Sequence, residues 1–250
     1  MWGIIPAGGI GSRIQPLAFS KELLPVGSRS DDNLERPRAV SEYIVERMVI
    51  GGVDKICFII SSSKYDILEY YGAAAGAASL CYVVQPNPAG LCDAIFRALP
   101  LIHSDEPLVV GLPDTIWFPE DGLCSLPEDS LSFLLFPVKQ PQLFDAVRTD
   151  PHGSVLEIRV KQERPGSEWV WGAFKMPGFV LRQLYDLWIR REQRDQYIGT
   201  LVNAYLAEGG FARGVRAGRA YVDVGTLNGY REALLLLDVT NESKMAGQWR

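Results

Sequence analysis

Trp2-Gly3-Ile4-Ile5-Pro6-Ala7-Gly8-Gly9-Ile10-Gly11-Ser12-Arg13, followed by Lys21-Glu22-Leu23-Leu24-Pro25-Val26-Gly27, is the stretch on which the reading of this chain turns. The apolar run Trp2 to Ile5 predicts a first strand, and three glycines in four positions predict a loop whose backbone N–H groups can turn inward on an anion. Arg13 and Lys21 bring cationic side chains to the same place. Two commoner phosphate loops do not fit. A dinucleotide fingerprint needs a third glycine three residues after Gly11, where Ile14 stands, and Pro16 falls where its helix would be under way. A Walker loop ends in Gly-Lys-Ser/Thr, which Gly11-Ser12-Arg13 does not supply. On spacing alone an ordinary glycine turn stays open.

Outward from the loop, strand-like and helix-like periods alternate. Ala39 to Gly51 carries apolar residues at helical spacing, Lys55 to Ile60 reads as a buried strand, and Lys64 to Tyr71 as a helix. Leu80 to Val84 predicts a strand, Leu91 to Leu101 a helix, and Pro107 to Gly111 another strand. This β-α-β order predicts an α/β fold with a mixed, mainly parallel central sheet and ligands beyond the carboxyl ends of its strands. The glycine loop and Asp114 then share one edge. From Leu131 the texture changes to successive strands at Leu131 to Val138, Ala146 to Thr149, Val155 to Val160 and Trp169 to Lys175, which predicts a smaller β region. Helices are expected over Pro177 to Arg194, Gln196 to Glu208 and Thr226 to Asp238, with a strand at Tyr221 to Asp223. Ser28 to Arg38 is polar without apolar period and reads as an exposed loop, and Ala73 to Ser79 as a small-residue connector. The expected organisation is a single domain over 1–240, split at about residue 130, with a polar, frayed tail over 241–250.

Composition narrows the function. At 47% hydrophobic the chain can bury a full core, and 25 basic against 30 acidic residues, with no basic run, speak against a nucleic-acid surface. Apolar runs such as Leu234 to Leu237 fall far short of the about 20 residues a membrane span needs, and the chain opens on a core strand rather than a signal peptide. A cytoplasmic protein without a membrane partner is expected. Cys57, Cys81, Cys92 and Cys124 lack C-x-x-C spacing, so zinc and redox motifs fail. His103 and His152 have no partner carboxylate or serine elbow beside them.

The full opening string resembles the signature of the sugar-1-phosphate nucleotidylyltransferases, whose loop runs A-G-G-x-G-[ST]-R-[LM]-x-P-L and then K-x-x-x-P. Here the match is Ala7-Gly8-Gly9-Ile10-Gly11-Ser12-Arg13-Ile14-Gln15-Pro16-Leu17, with Lys21 and Pro25. The resemblance spans Gly3 to about Ala233 and implies a Rossmann-like nucleotidyltransferase fold, with 1–130 as the nucleotide-binding part and 131–240 as the acceptor-binding part. It implies Mg²⁺-dependent transfer of a nucleoside monophosphate from a pyrimidine nucleoside triphosphate, dTTP or UTP or else CTP, to a phosphorylated small-molecule acceptor. Arg13 and Lys21 would be the catalytic cations; Ala7, Gly8, Gly9, Gly11, Ser12, Gln85 and Gly90 the nucleotide contacts, Gln85 through its amide on the base edge. Asp114 and Asp223, each after an apolar strand, resemble the family's metal-binding pair, a spacing suited to Mg²⁺ shared with substrate phosphates. A homo-oligomer is left open.

The acceptor side departs from the family pattern. Lys161 stands where the family has the lysine that grips the acceptor phosphate, but Val160 replaces its acidic neighbour and Gln162 its proline. Asp145 occupies a position where the family has glycine, Thr115 follows Asp114 where an Asp or Asn is usual, and Gly172 matches the later glycine. Losing an acidic group at 160 removes an acceptor for hydroxyls, so the pocket is expected to differ from a glucose-type one. Trp169, Trp171 and Phe174 could line it or simply serve the core. Two other readings were weighed. A catalytically silent nucleotide-sugar-binding homologue is disfavoured because Arg13, Lys21 and both aspartates are kept, and a guanylyl transferase of the molybdenum-cofactor type by the Gln85 segment and the Asp223-Val224-Gly225-Thr226 end.

Overall fold

The computed structural model describes residues 1–31 and 34–247, with side chains as far as Val239. Strand β1 (Trp2–Pro6) runs into the glycine loop, and β2 (Pro25–Asp31) and β3 (Leu34–Ala39) follow, leading into helix α1 (Val40–Ile50). Then come β4 (Lys55–Ile60), α2 (Tyr65–Tyr71), β5 (Ala74–Ala75), β6 (Ala78–Val84), α3 (Leu91–Phe96), β7 (Pro107–Gly111) and β8 (Thr115–Phe118). The second part holds β9 (Leu131–Pro137), β10 (Asp145–Thr149), β11 (Val155–Val160), β12 (Trp169–Pro177), α4 (Gly178–Arg190), α5 (Ile198–Ala207), β13 (Ala212–Val215), β14 (Ala220–Asp223) and α6 (Leu227–Gly247). Among the described residues no helix is long and apolar enough to cross a membrane.

The main sheet is ordered β11-β10-β12-β7-β1-β4-β6-β5, with β9 on β12 and β13 on β9. Its centre is parallel: β1 lies between β7 and β4, and β6 follows β4. These strands read as unbroken Ile, Val, Cys and Phe because both faces are covered, by α3 and α4 on one side and α1 and α2 on the other. Strands β12, β10 and β11 join antiparallel. A separate ladder pairs β8 with β14 and sets Thr115 opposite Asp223.

Four expectations are corrected. Ser28 to Arg38 is not a loop: β2 and β3 form a hairpin, whose tip, Asp32 and Asn33, lies outside the described residues. The hairpin is exposed on both faces, so it has no apolar alternation to read; side-chain pairs such as Arg29 Nη1 to Glu42 Oε2 at 2.9 Å and Ser28 Oγ to Glu35 Oε1 at 2.6 Å accompany it. Within Ala73 to Ser79, the pairing of β5 with the start of β6 makes a small hairpin. The expected frayed tail over 241–250 is helical to Gly247, and 248–250 lie outside the described residues. Helix α3 stops at Phe96, short of the expected Leu101, where Pro100 starts a 3-10 turn instead.

Candidate active site

The carboxyl ends of β1 and β7 meet the end of β14 around a cleft of about 250 Å³, lined among others by Gly9, Arg13, Lys21, Asp114, Asp145, Lys161 and Asp223. Six of the predicted site residues lie there together with Gly9; the rest do not line it. Asp114 ends the link from β7 to β8, and the β8–β14 ladder, reinforced by Val224 N donating to Asp114 O at 2.8 Å, carries Asp223 beside it. A Cβ built on Gly225 would stand 2.8 Å from Asp223 Oδ1 and 3.3 Å from Asp114 Oδ2, so glycine is what leaves the two carboxylates facing one space.

Each carboxylate carries a predicted cation. Lys21 Nζ donates to Asp114 Oδ2 at 2.5 Å, and Arg13 Nη2, largely exposed, to Asp223 Oδ2 at 3.3 Å. Burial pushes Asp114 up, but the Lys21 and Arg13 charges outweigh it and hold the carboxyl below its usual range. Asp223 goes the other way: burial, then the Asp114 charge, push it up. For Lys21 burial is again the largest influence and favours the neutral amine, yet Asp114, Glu22 and Asp223 together raise it, so it stays charged.

The glycine loop has the form of an anion cradle. Among the described residues no backbone N–H from Gly8 to Arg13 donates to a protein acceptor, whereas Ala7 N, just before, is tied to Ile59 O at 2.7 Å. Gly11 turns at φ +70°, and a Cβ there would strike Lys21 Cδ at 2.6 Å; that close approach is what brings Lys21 under the loop. Ser12 is exposed, with Gly9 at the cleft wall.

Beneath the loop lies an arrangement that sequence reasoning missed. Lys64 Nζ donates to Ala7 O at 2.6 Å and to both oxygens of Glu22 at 2.7 and 2.8 Å, with Glu22 fully buried. Burial pushes the Glu22 carboxyl up and the Lys64 ammonium down, each partly offset by the other. Ser20 is fastened to Asp66 through both its N–H at 2.7 Å and its hydroxyl at 2.6 Å. Residues around the start of α2 thus hold the strand end and Lys21 in register. A charged pair in the KELLP run was visible, but its partner lies 42 residues on.

Gln85 is held within the protein behind the loop. It is 3% exposed, its Nε2 donates to Asp93 Oδ2 at 2.7 Å and to Gly90 O at 3.3 Å, and its Oε1 stands where a Cβ on Gly8 would be. Its amide therefore braces Gly8 against Gly90 instead of pointing at the cleft. Gly90 itself has φ +103° and packs on Gln196 O, which accepts from Leu91 N at 2.8 Å.

Across the cleft, Asp145 and Lys161 lie at the end of the β10–β11 ladder, where Asp145 pairs with Val160 and Lys161 N donates to Phe144 O at 3.1 Å. Lys161 is held at φ +46°, a strained conformation for a side-chain-bearing residue, with its Nζ 4.8 Å from the centre of the Tyr197 ring. Asp145 is pushed up by burial and partly restored by Lys161 and the Trp171 N–H. Gly172 does not line the cleft. It sits at a register shift in β12, where a Cβ would meet Phe136 at 2.6 Å and Tyr221 at 2.9 Å, and the bulge leaves Trp171 at the cleft wall. Of the other two expected aromatics, Phe174 is fully buried core and Trp169 packs against it.

Among the described residues no three His, Cys, Asp or Glu side chains converge, and Asp114 and Asp223 are the two carboxylates that face one gap in the cleft. Two carboxylates facing a gap that a methyl would fill suit a hard cation that shares substrate phosphates.

An α/β sheet with a glycine loop, two strand-end carboxylates and two cations over one cleft defines a phosphate-transfer site. The chain belongs to the nucleotidyl transferase family, whose sequence profile matches residues 2–238. It is 27% identical over 246 residues to the glucose-1-phosphate thymidylyltransferase of Neisseria meningitidis serogroup A, covering 93% of this chain and 81% of that one. A Bacillus anthracis structure provisionally assigned as a glucose-1-phosphate thymidylyltransferase, determined with sucrose, superposes with a TM-score of 0.77 at 25% identity, over 94% of each chain. A UTP-bound UGPase from Acinetobacter baumannii shares the fold at a TM-score of 0.74 and 20% identity, over 94% of this chain and 92% of that one. The protein is therefore a nucleotidyltransferase enzyme.

Proposed function

We propose that the enzyme transfers a nucleoside monophosphate from dTTP, UTP or CTP to a sugar 1-phosphate or a related phosphorylated acceptor. The observation that carries this reading is a glycine loop whose N–H groups from Gly8 to Arg13 meet no protein acceptor among the described residues, at a cleft that Gly9, Arg13, Lys21, Asp114, Lys161 and Asp223 line together. A triphosphate laid along the loop puts its β- and γ-phosphates against those N–H groups, Arg13 and Lys21. Ala7, Gly8 and Gly90, braced by Gln85, frame the nucleotide, and Lys161 holds the acceptor phosphate with Asp145 beside it. A phosphate oxygen of the acceptor attacks the α-phosphorus in line; the bond to the bridging oxygen breaks, and pyrophosphate leaves with the electron pair. Asp114 and Asp223 would hold Mg²⁺, which supplies charge neutralisation at the α-phosphate. No covalent protein intermediate and no proton-abstracting base is needed, because a phosphate is already an anionic nucleophile; catalysis is positioning and electrostatics. The setting we propose is the cytoplasm, in keeping with four free cysteines.

The test is pyrophosphate release with Mg²⁺ and each nucleoside triphosphate against a panel of sugar 1-phosphates and other phosphorylated metabolites. Release with one pyrimidine triphosphate is expected. Nucleotide binding by calorimetry without release from any pair would overturn the proposal in favour of a silent binding protein.

A further inference from the structure

The acceptor side of the cleft holds a carboxylate that the protein leaves unanswered. Asp145 lines the cavity with Lys161, Tyr197 and Trp171, and among the described residues it forms no ion pair and no hydrogen bond of normal geometry. The indole N–H of Trp171 is buried beside it, close enough to favour the carboxylate, yet it too meets no acceptor at hydrogen-bond geometry. A buried donor so placed costs stability unless something satisfies it, and the half-buried carboxylate is open to a ligand in the cleft. The ladder explains where this carboxylate comes from. Asp145 and Val160 are directly opposite in an antiparallel pair, so both side chains lie on one face, about 5 Å apart at Cβ. Val160 is turned to packing: its Cγ2 is 2.8 Å from where a Cβ on Gly199 of α5 would stand. Position 160 closes the wall, and the acidic group stands one strand over.

We infer that Asp145 reads a hydrogen-bond-donating group carried by the acceptor on the carbon next to its phosphate-bearing carbon. The neighbouring placement follows from the ladder end: Lys161 directly follows Val160, so the phosphate grip and the Asp145 carboxylate are adjacent. Two groups have this chemistry, a hydroxyl and an ammonium. Leu143, Phe144 and Tyr221 line the cavity beside it. An acceptor without the donor displaces water from the half-buried Asp145 carboxylate and leaves it without a partner, which a small pocket can use for rejection.

The inference rests on the nucleotidyl-transfer reading, and its test separates the two. Glucose 1-phosphate, 2-deoxyglucose 1-phosphate and glucosamine 1-phosphate present a hydroxyl, nothing and an ammonium at the neighbouring carbon. Each is assayed for kcat/KM with the best triphosphate and for Kd by calorimetry, on the full chain and on Asp145→Ala, Asp145→Asn and Trp171→Phe. For the wild type, one donor-bearing compound is expected to exceed the 2-deoxy compound about 100-fold, and Asp145→Ala to reduce that ratio below about tenfold with KM for the nucleotide unchanged. Asp145→Asn keeps most of the preference if the donor is a hydroxyl and loses it if it is an ammonium. Trp171→Phe, which keeps a ring but removes the N–H, is expected to raise the acceptor KM about threefold at constant kcat; a merely structural role would move both. A wild type that treats the three compounds alike, or an Asp145→Ala variant that keeps the ratio, overturns the inference. Absence of turnover with an intact Kd ratio overturns the transfer reading and leaves the inference standing.

Discussion

The two walls of the cleft are finished to different degrees. On the wall carrying the glycine loop, which we propose takes the nucleotide, the charged groups already have partners, Lys21 on Asp114, Arg13 on Asp223 and Lys64 on Glu22, and Ser20 is tied to Asp66. On the acceptor wall Asp145 and the Trp171 N–H meet nothing at hydrogen-bond geometry, and Lys161 rests on a ring face from a left-handed backbone. A polyphosphate is a ligand common to many enzymes, and a self-supporting grip serves any of them; the acceptor is particular to one, and its groups wait for it. Pre-organisation and specificity are thus separated across about ten ångströms of a single sheet edge.

The comparison can be broken first at its most exposed point. Arg13→Ala is expected to lower turnover about 1000-fold under the proposed role of Arg13 against the departing pyrophosphate, while the thermal midpoint stays within about 2 °C because the side chain is largely solvent-exposed. A measured loss below tenfold would remove Arg13 from the reaction. Lys64→Met tests whether the nucleotide wall is supported from beneath: it strands the Glu22 carboxylate in a fully buried site, with an expected loss of about 3 kcal/mol of unfolding free energy in urea titration. Replacing both as Glu22→Gln with Lys64→Met should recover part of it. Gly225→Ala pushes a methyl between the two aspartates and is expected to cost about 100-fold in turnover and to raise the Mg²⁺ concentration for half-maximal rate, with acceptor Kd unchanged.

The smallest effect lies at the seam between the walls. Arg191 grips Asp195 through Nε at 2.7 Å and Nη2 at 3.1 Å, next to Gln196 on which Gly90 packs. Burial raises the Asp195 carboxyl, but Arg191 and Thr200 outweigh it and hold it below its usual range. A depressed carboxyl contributes stability above its unfolded value that is lost as pH falls through the folded one. Asp195→Asn is therefore expected to lower the thermal midpoint by a few degrees at pH 7, and the gap to the wild type should close as pH falls below about 4.

What could be read from the amino acids follows the same division. The central strands were legible because burial on both faces makes them continuous in Ile and Val, and the glycine loop because its spacing is tied to backbone geometry at Gly11. Asp114 and Asp223 were legible singly, each at a strand end, but their meeting depends on the short β8–β14 ladder, and β8, four residues long, left no periodic signal. The β2–β3 hairpin was hidden because ion pairs rather than an apolar face accompany it. Gln85 was read by its capacity to face a base; its orientation is set by Asp93, eight residues on, whose charge the pattern alone does not assign. Val160 was visible as a loss, whereas its replacement by a carboxylate across the ladder needed the register.

The pairing of charges in and beneath the cleft bears on how fast a nucleotide arrives. Arg13, Lys21 and Lys64 are matched one for one by Asp223, Asp114 and Glu22, Lys161 has the Asp145 carboxylate near it without an ion pair, and the chain as a whole carries −5. A triphosphate therefore approaches a site with almost no long-range attraction and must exchange partners with ion pairs already made. Association is expected to run at an unsteered rate, with kcat/KM nearly flat in ionic strength, and the cations to act only after contact, at a range where salt no longer screens them.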